Sequence, residues 1–107
     1  MTPEQAVLGR LTLVGLGRPV KIEHLRWAHP QRRLSRREVE AAILALRLAG
    51  EPICSGPDGV WLGTPDELAE CIERLRARAR TQLVTCRAMR RTLRRMEGQL
   101  VLWRAAG

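Results

Sequence analysis

After Thr64-Pro65-Asp66-Glu67 the chain runs to Gly98 with no glycine and no further proline. Thr64 and Glu67 stand at the capping-box spacing, in which a hydroxyl and a carboxylate three residues on satisfy the free N–H groups of a helix start. Pro65 takes the first helical position, where its missing donor costs nothing. Nothing downstream stops the helix, so one of more than about thirty residues is expected. Along it two sets recur every seven residues: Ile72, Ala79, Cys86, Leu93 and Leu100, and Leu68, Leu75, Gln82, Met89, Met96 and Trp103. They interleave at spacings of three and four, which is the a/d pattern of a coiled coil, with one polar member at Gln82.

What precedes this helix is too small to cover its whole seam, so self-association through it is expected. The expected homodimer interface is Leu75, Ala79, Gln82, Cys86, Met89, Leu93, Met96, Leu100 and Trp103. The alternative is a helix folded back across its own domain, and Gly98 weakens the last heptad. The flanking e and g positions lack complementary charge pairs, with Arg76, Arg78 and Arg90 unmatched by acids, so parallel and antiparallel pairing are both open.

Two more capping boxes mark two more helix starts. Thr2-Pro3-Glu4-Gln5 opens a helix over roughly residues 3 to 14, stopped by Gly15 and Gly17. Ser35-Arg36-Arg37-Glu38 opens another, with Leu34 and Val39 at the staple positions on either side of the cap, running to about Ala49 before Gly50. On a wheel of 100° per residue its core side holds Val39, Ala42, Ile43, Leu46 and Gly50, and its outer side Arg37, Ala41, Leu44 and Leu48. Between these two helices, "GRPV" is extended and "KIEHLRWAHP" forms a short, uncapped helix carrying Ile22, Leu25 and Trp27, ended by Pro30. "EPICSGPDGVWLG" is a strand, a Pro-Asp-Gly turn and a second strand.

The fold class expected is therefore mainly α with a small β-hairpin: a compact domain over 1–63 and a long arginine-rich dimerisation helix over 64–107. The order of elements, centred on "LSRREVEAAILALRLAGEPICSGPDGVWLG", resembles the winged helix-turn-helix domains of bacterial and phage regulators, including the N-terminal domain of biotin-ligase repressors, over roughly residues 3 to 63. The resemblance implies DNA binding, with Ser35 to Ala49 as the recognition helix and Pro52 to Leu62 as the wing. Two features depart from that pattern. The wing tip carries Asp58 and no Lys or Arg, and the connection from Trp27 to Ser35 is longer than a tight helix-turn-helix corner.

Charge points the same way. The net charge of +8 and pI near 11.3 favour a polyanionic partner. Lys21 is the sole lysine among the 19 basic residues, a usage that a GC-rich coding sequence would also produce. Placement says more than abundance. Arg32, Arg33, Arg36 and Arg37 crowd a helix start, where the macrodipole disfavours cations, and phosphates would reverse that preference. Residues 74 to 95 hold nine arginines and no acid, of which Arg74, Arg80, Arg87, Arg91, Arg94 and Arg95 lie off the seam as a basic outer face. The nucleic-acid contacts expected are these six with Arg32, Arg33, Ser35, Arg36 and Arg37, on DNA that is most simply double-stranded. The competing expectation is an interaction module that binds a protein partner through Leu44, Leu48 and the non-basic wing.

No catalytic constellation is present. His24 and His29 stand five apart across a helix end, with His29 expected in solvent, and Cys54, Cys71 and Cys86 have neither CxxC spacing nor an even count. Hence no enzyme activity, cofactor, metal or disulfide framework is expected, and the cysteines are small packers in a reducing cytoplasm. Leu11 to Gly17 is too short to span a membrane and the first residues lack a signal peptide's basic start, so a cytoplasmic protein is expected.

Overall fold

A computed structural model describes residues 1–106, and Gly107, the last residue of the expected 64–107 segment, lies outside the described residues. The elements are α1 (Pro3–Val14), α2 (Ile22–Leu25), α3 (Arg36–Leu48), β1 (Ile53–Gly56), β2 (Gly59–Leu62) and α4 (Pro65–Ala106). The chain divides into two compact units, one of Met1–Ile72 and one beginning at Glu73. No helix among the described residues is long and apolar enough to cross a membrane.

In the first unit, all three capping boxes close. Thr2 Oγ1 accepts from Gln5 N–H at 3.1 Å, Ser35 Oγ from Glu38 N–H at 3.1 Å, and Thr64 Oγ1 from Glu67 N–H at 3.3 Å. Each N3 side chain accepts in return from the N-cap backbone N–H at 2.9 to 3.1 Å. Six free donors at helix starts are thereby satisfied from sequence-local partners. α2 has no side-chain cap, and after Leu25 it tightens into turns whose N–H groups reach back three residues, Trp27 to His24 and Ala28 to Leu25. Trp27 is consequently outside the helix and 61% exposed.

The core is one cluster of Val7 and Leu11 from α1, Val20, Leu25 and Leu34 from the connections and α2, Val39, Ala42, Ile43 and Leu46 from α3, and Ile53 and Val60 from the hairpin. α3 contributes the stripe expected for it with one exception. Gly50 is exposed, because the helix ends at Leu48 and Gly50 turns away with φ +101°, so the 100° register no longer carries it inward.

β1 and β2 pair antiparallel, Ile53 with Leu62 through to Gly56 with Gly59, around Pro57-Asp58. The extended segment before α2 adds a one-residue third strand: Val20 N–H donates to the Val60 carbonyl at 2.8 Å and Val60 N–H to the Val20 carbonyl at 2.9 Å. That close pass dictates Gly59. Its φ is +127°, and a Cβ there would collide with the Val20 carbonyl and come within 2.9 Å of Lys21 N. The first turns of α4 are tied back by Trp61, whose indole Nε1–H donates to Glu67 at 2.9 Å, and by buried Cys71.

Gly59→Ala is therefore expected to lose more than about 2 kcal/mol, through both strain and displacement of the Val20 strand. Gly50→Ala, with open space around its Cβ, is expected to lose only the left-handed penalty of about 1–2 kcal/mol. Urea unfolding of the two variants beside wild type checks the difference, and equal losses would show that the approach of Val20 carries no cost.

Candidate nucleic-acid interface

The start of α3 is organised by one carboxylate. Glu38 accepts two hydrogen bonds from Arg32, at 3.0 Å on Oε1 and 2.6 Å on Oε2, while Oε1 also accepts the Ser35 N–H at 3.1 Å. The Arg32 contact above all, with the Ser35 backbone N–H behind it, pushes the Glu38 carboxyl down to about 2. Arg36 donates to Glu40 at 3.1 Å, one helical turn on. The Arg33 guanidinium carbon stands 5.5 Å from the centroid of the Trp27 ring, a cation–π contact that leaves its charge uncancelled. Among the described residues Arg37 has no acidic or aromatic partner. All four arginines and Ser35 are exposed. Two of the four cations crowding the dipole's positive end are thus paired, and two are available.

The connection holding Arg32 and Arg33 is clasped at its base. Leu34 N–H donates to the Arg26 carbonyl at 2.8 Å, Arg26 Nε–H donates to the Leu34 carbonyl at 2.9 Å, and Arg26 also pairs with Glu23 at 2.7 Å. Leu34 itself is fully buried. His29 contributes a second tie and corrects the expectation that it is solvated. It is 9% exposed; Nδ1 accepts from Gln31 N–H at 3.1 Å, which leaves Nε2–H to donate to the Met1 carbonyl at 2.9 Å. The imidazole fills a structural post between the loop and the first residue. His24 is exposed on α2.

An open groove of about 260 Å³ lies between Lys21, Ile22, Glu23, Arg36, Pro57 and Gly59. It brings the entry to α2, the start of α3 and the hairpin turn together, and it adds Lys21 beside Arg36. Lys21 carries no local signal for this place, because the pairing of Val20 with Val60 that sets it there is a contact between distant residues. The hairpin turn supplies Pro57 and Gly59 to the groove and no cation, as its sequence requires. On the outer side of α3, Leu44 is 58% and Leu48 81% exposed.

In the second unit, every described side chain of α4 up to Ala105 is exposed in the single chain, including all nine expected interface residues from Leu75 to Trp103. Arg74, Arg80, Arg87, Arg91, Arg94 and Arg95 are all at the surface. Arg87, Arg90, Arg91 and Arg94 line an open groove of about 340 Å³ at the i, i+3, i+4, i+7 spacing of one helix face. Arg90 belongs to this basic surface although the seam pattern had put it on a flank. Arg76, expected to lack an acid, stands 3.8 Å from Glu73, three residues back on the same helix. Among the described residues no acid pairs with Arg78, Arg80, Arg87, Arg90, Arg91, Arg94 or Arg95.

Cys54 and Cys71 are buried and Cys86 is exposed, all as free thiols. Burial, with Cys71 next, pushes the Cys54 thiol up, away from the reactive thiolate. Among the described residues no three His, Cys, Asp or Glu side chains converge as a metal site would need. No protein-family model matches the chain, and no curated protein or solved structure matches it significantly.

The depressed Glu38 carboxyl gives a pH dependence of definite sign. A carboxylate held below its unfolded value contributes stability that is complete above the unfolded pKa, near 4.3, and lost as the pH falls toward about 2. Glu38→Gln is expected to flatten the stability curve in that window and to leave its shape above about pH 5 unchanged. Thermal melts of both proteins across the acid range test this; parallel curves would mean that Glu38 titrates normally.

Proposed function

We propose that the chain is a dimeric winged-helix DNA-binding protein, active in transcription, replication or phage-type genome handling, that binds duplex DNA mainly through phosphate contacts. The order of helix, short strand, two helices and hairpin over roughly residues 3 to 63 supports this reading, with α3 as the recognition helix, the hairpin as the wing and α4 as an added helix. The observation that carries the DNA reading is that, among the described residues, no acid pairs with Arg78, Arg80, Arg87, Arg90, Arg91, Arg94 or Arg95 of α4. A helix gains from Glu at i±4 and loses from like charges there, so an acid-free arginine face makes physical sense when a polyanion supplies the counter-charge. The start of α3 agrees: Arg33 and Arg37 keep their charge available while Ser35 and Glu38 hold the helix end in place. Contact is positioning rather than base reading, since the outer side of α3 beyond Arg37 offers Ala41, Leu44 and Leu48.

A second reading follows from Leu44 and Leu48, two large apolar side chains exposed a turn apart on α3. They suit a protein partner, with α3 and the hairpin as an interaction surface and DNA contact weak or absent.

A salt titration of binding to random duplex DNA separates the two. Each phosphate neutralised adds about 0.9 to the slope of log K against log salt. Arg33→Gln/Arg37→Gln is expected to lower that slope by roughly two, whereas Arg32→Gln/Arg36→Gln lowers it less, because those guanidiniums are shared with Glu38 and Glu40. No binding by wild type at low salt would sink the DNA reading and leave the protein partner.

A further inference from the structure

The seam of α4 is uncovered in the single chain: Met89, Leu93, Met96, Leu100 and Trp103 are each more than half exposed. Its residues differ too much in size for every arrangement of two copies to fill it equally. Resting on the self-association proposed above, we propose that two copies pair through α4 in antiparallel orientation, in the register that sets Ala79 of each against Met96 of the other. A coiled coil places a positions level with d positions when its helices run in opposite directions. This register sets small against large at Ala79–Met96 and Cys86–Met89, and Leu75 against Leu100. The hollow of about 340 Å³ between Met96, Gln99, Leu100 and Trp103 has the d, g, a, d lining of a coiled-coil hole, and in this register the Leu75 of the second copy is its knob.

The polar defect fits as well. Gln82 comes to lie beside Leu93 and Thr92 of the second copy. The Thr92 hydroxyl already donates to the Ala88 carbonyl at 3.2 Å, so its lone pairs are free to accept from the amide.

Charge selects the register. Arg76 and Glu97 both follow a d residue and flank the seam on the same side, and antiparallel helices bring like flanks together. Arg76 of each copy, unmatched across the seam in a parallel pair and only 3.8 Å from Glu73 on its own helix, then meets Glu97 of the other, twice per dimer. Sliding by one heptad in one direction sets Arg76 against Arg90, and in the other direction against Arg104, both repulsive. A parallel in-register pair stacks Ala79 on Ala79 and Cys86 on Cys86, which under-fills two layers, and it stacks Trp103 on Trp103, which over-fills a third. It leaves Glu97 beside Thr92 rather than a cation.

The test uses the full chain. Sedimentation equilibrium at fixed moderate salt is expected to show a dimer that Glu97→Arg weakens about tenfold, since two attractions become two repulsions. Adding Arg76→Glu to that variant is expected to restore affinity to within about threefold of wild type. Failure of the reversed pair to restore it overturns the register. In a Cys86→Ser background, Ala79→Cys/Met96→Cys is expected to oxidise to a covalent dimer and Ala79→Cys alone to remain uncoupled. Coupling by Ala79→Cys alone would show parallel helices and overturn the orientation while leaving the dimer. A chain that sediments as a monomer at every concentration, with helix content intact by circular dichroism, overturns the self-association itself.

Discussion

Everything in the first unit depends on α3 burying one narrow stripe. Val39, Ala42, Ile43 and Leu46 are between 0% and 7% exposed and belong to one buried cluster with residues of α1, α2 and β1. Once that stripe is inward, the helix has no freedom of rotation left, and Arg37, Ala41, Leu44 and Leu48 must face outward. The Arg47 side chain then ties the hairpin to the same helix. Arg47 Nε–H donates to the Ile53 carbonyl at 2.9 Å and its Nη2 to Ser55 Oγ at 3.0 Å, so the angle between α3 and the hairpin is set by hydrogen bonds as well as by the packing of Ile53. On the proposed DNA reading a rigid frame of this kind matters, because charged side chains position a duplex only as well as their backbones are held.

The crowding of arginines at the start of α3 is settled locally by a division of labour. Glu38 would serve as an ordinary capping carboxylate without any arginine nearby. By also taking Arg32 it fixes the loop's charge onto the cap, and Glu40 does the same for Arg36 one turn along. The exposed Arg36–Glu40 pair contributes little stability. The effect of both pairs is on distribution: the net excess at the helix start shrinks to Arg33 and Arg37, one on either side of Ser35.

The elements that were legible in the sequence are those whose determinants lie within four residues of one another. Thr2–Gln5, Ser35–Glu38 and Thr64–Glu67 gave three helix starts to the residue, and the Gly-Pro-Asp-Gly turn gave the hairpin, because capping and turn chemistry are local. The buried stripe of α3 was legible from its period for the same reason. What escaped was made by contacts across the chain. His29 looked like a loop residue until the Met1 carbonyl arrived opposite its ring. Arg47 gave no sign that it would clamp the hairpin, and Lys21 none that it would share a groove with Arg36. For the candidate site, the four arginines were visible as a cluster and Arg36–Glu40 is a local pair at i, i+4, but the pairing of Arg32 with Glu38 depended on how the loop from Trp27 folds back to Leu34.

The two unusual features of α4, its bare apolar seam and its acid-free arginine face, are best understood together. Isolated helices rely on side-chain pairs for support, and this one forgoes most of them for like charges along its outer side. Pairing two copies would cover the seam and gain apolar burial, yet it would also bring two strongly cationic helices within a Debye length of each other. On the proposed pairing the seam drives association and the arginine faces oppose it, so whatever neutralises those faces strengthens the dimer. By linkage the reverse holds equally: a paired chain presents twice the cation density and binds a polyanion more tightly than a single one. The absence of acids, which costs the free helix stability, then becomes the device that couples partner binding to self-association.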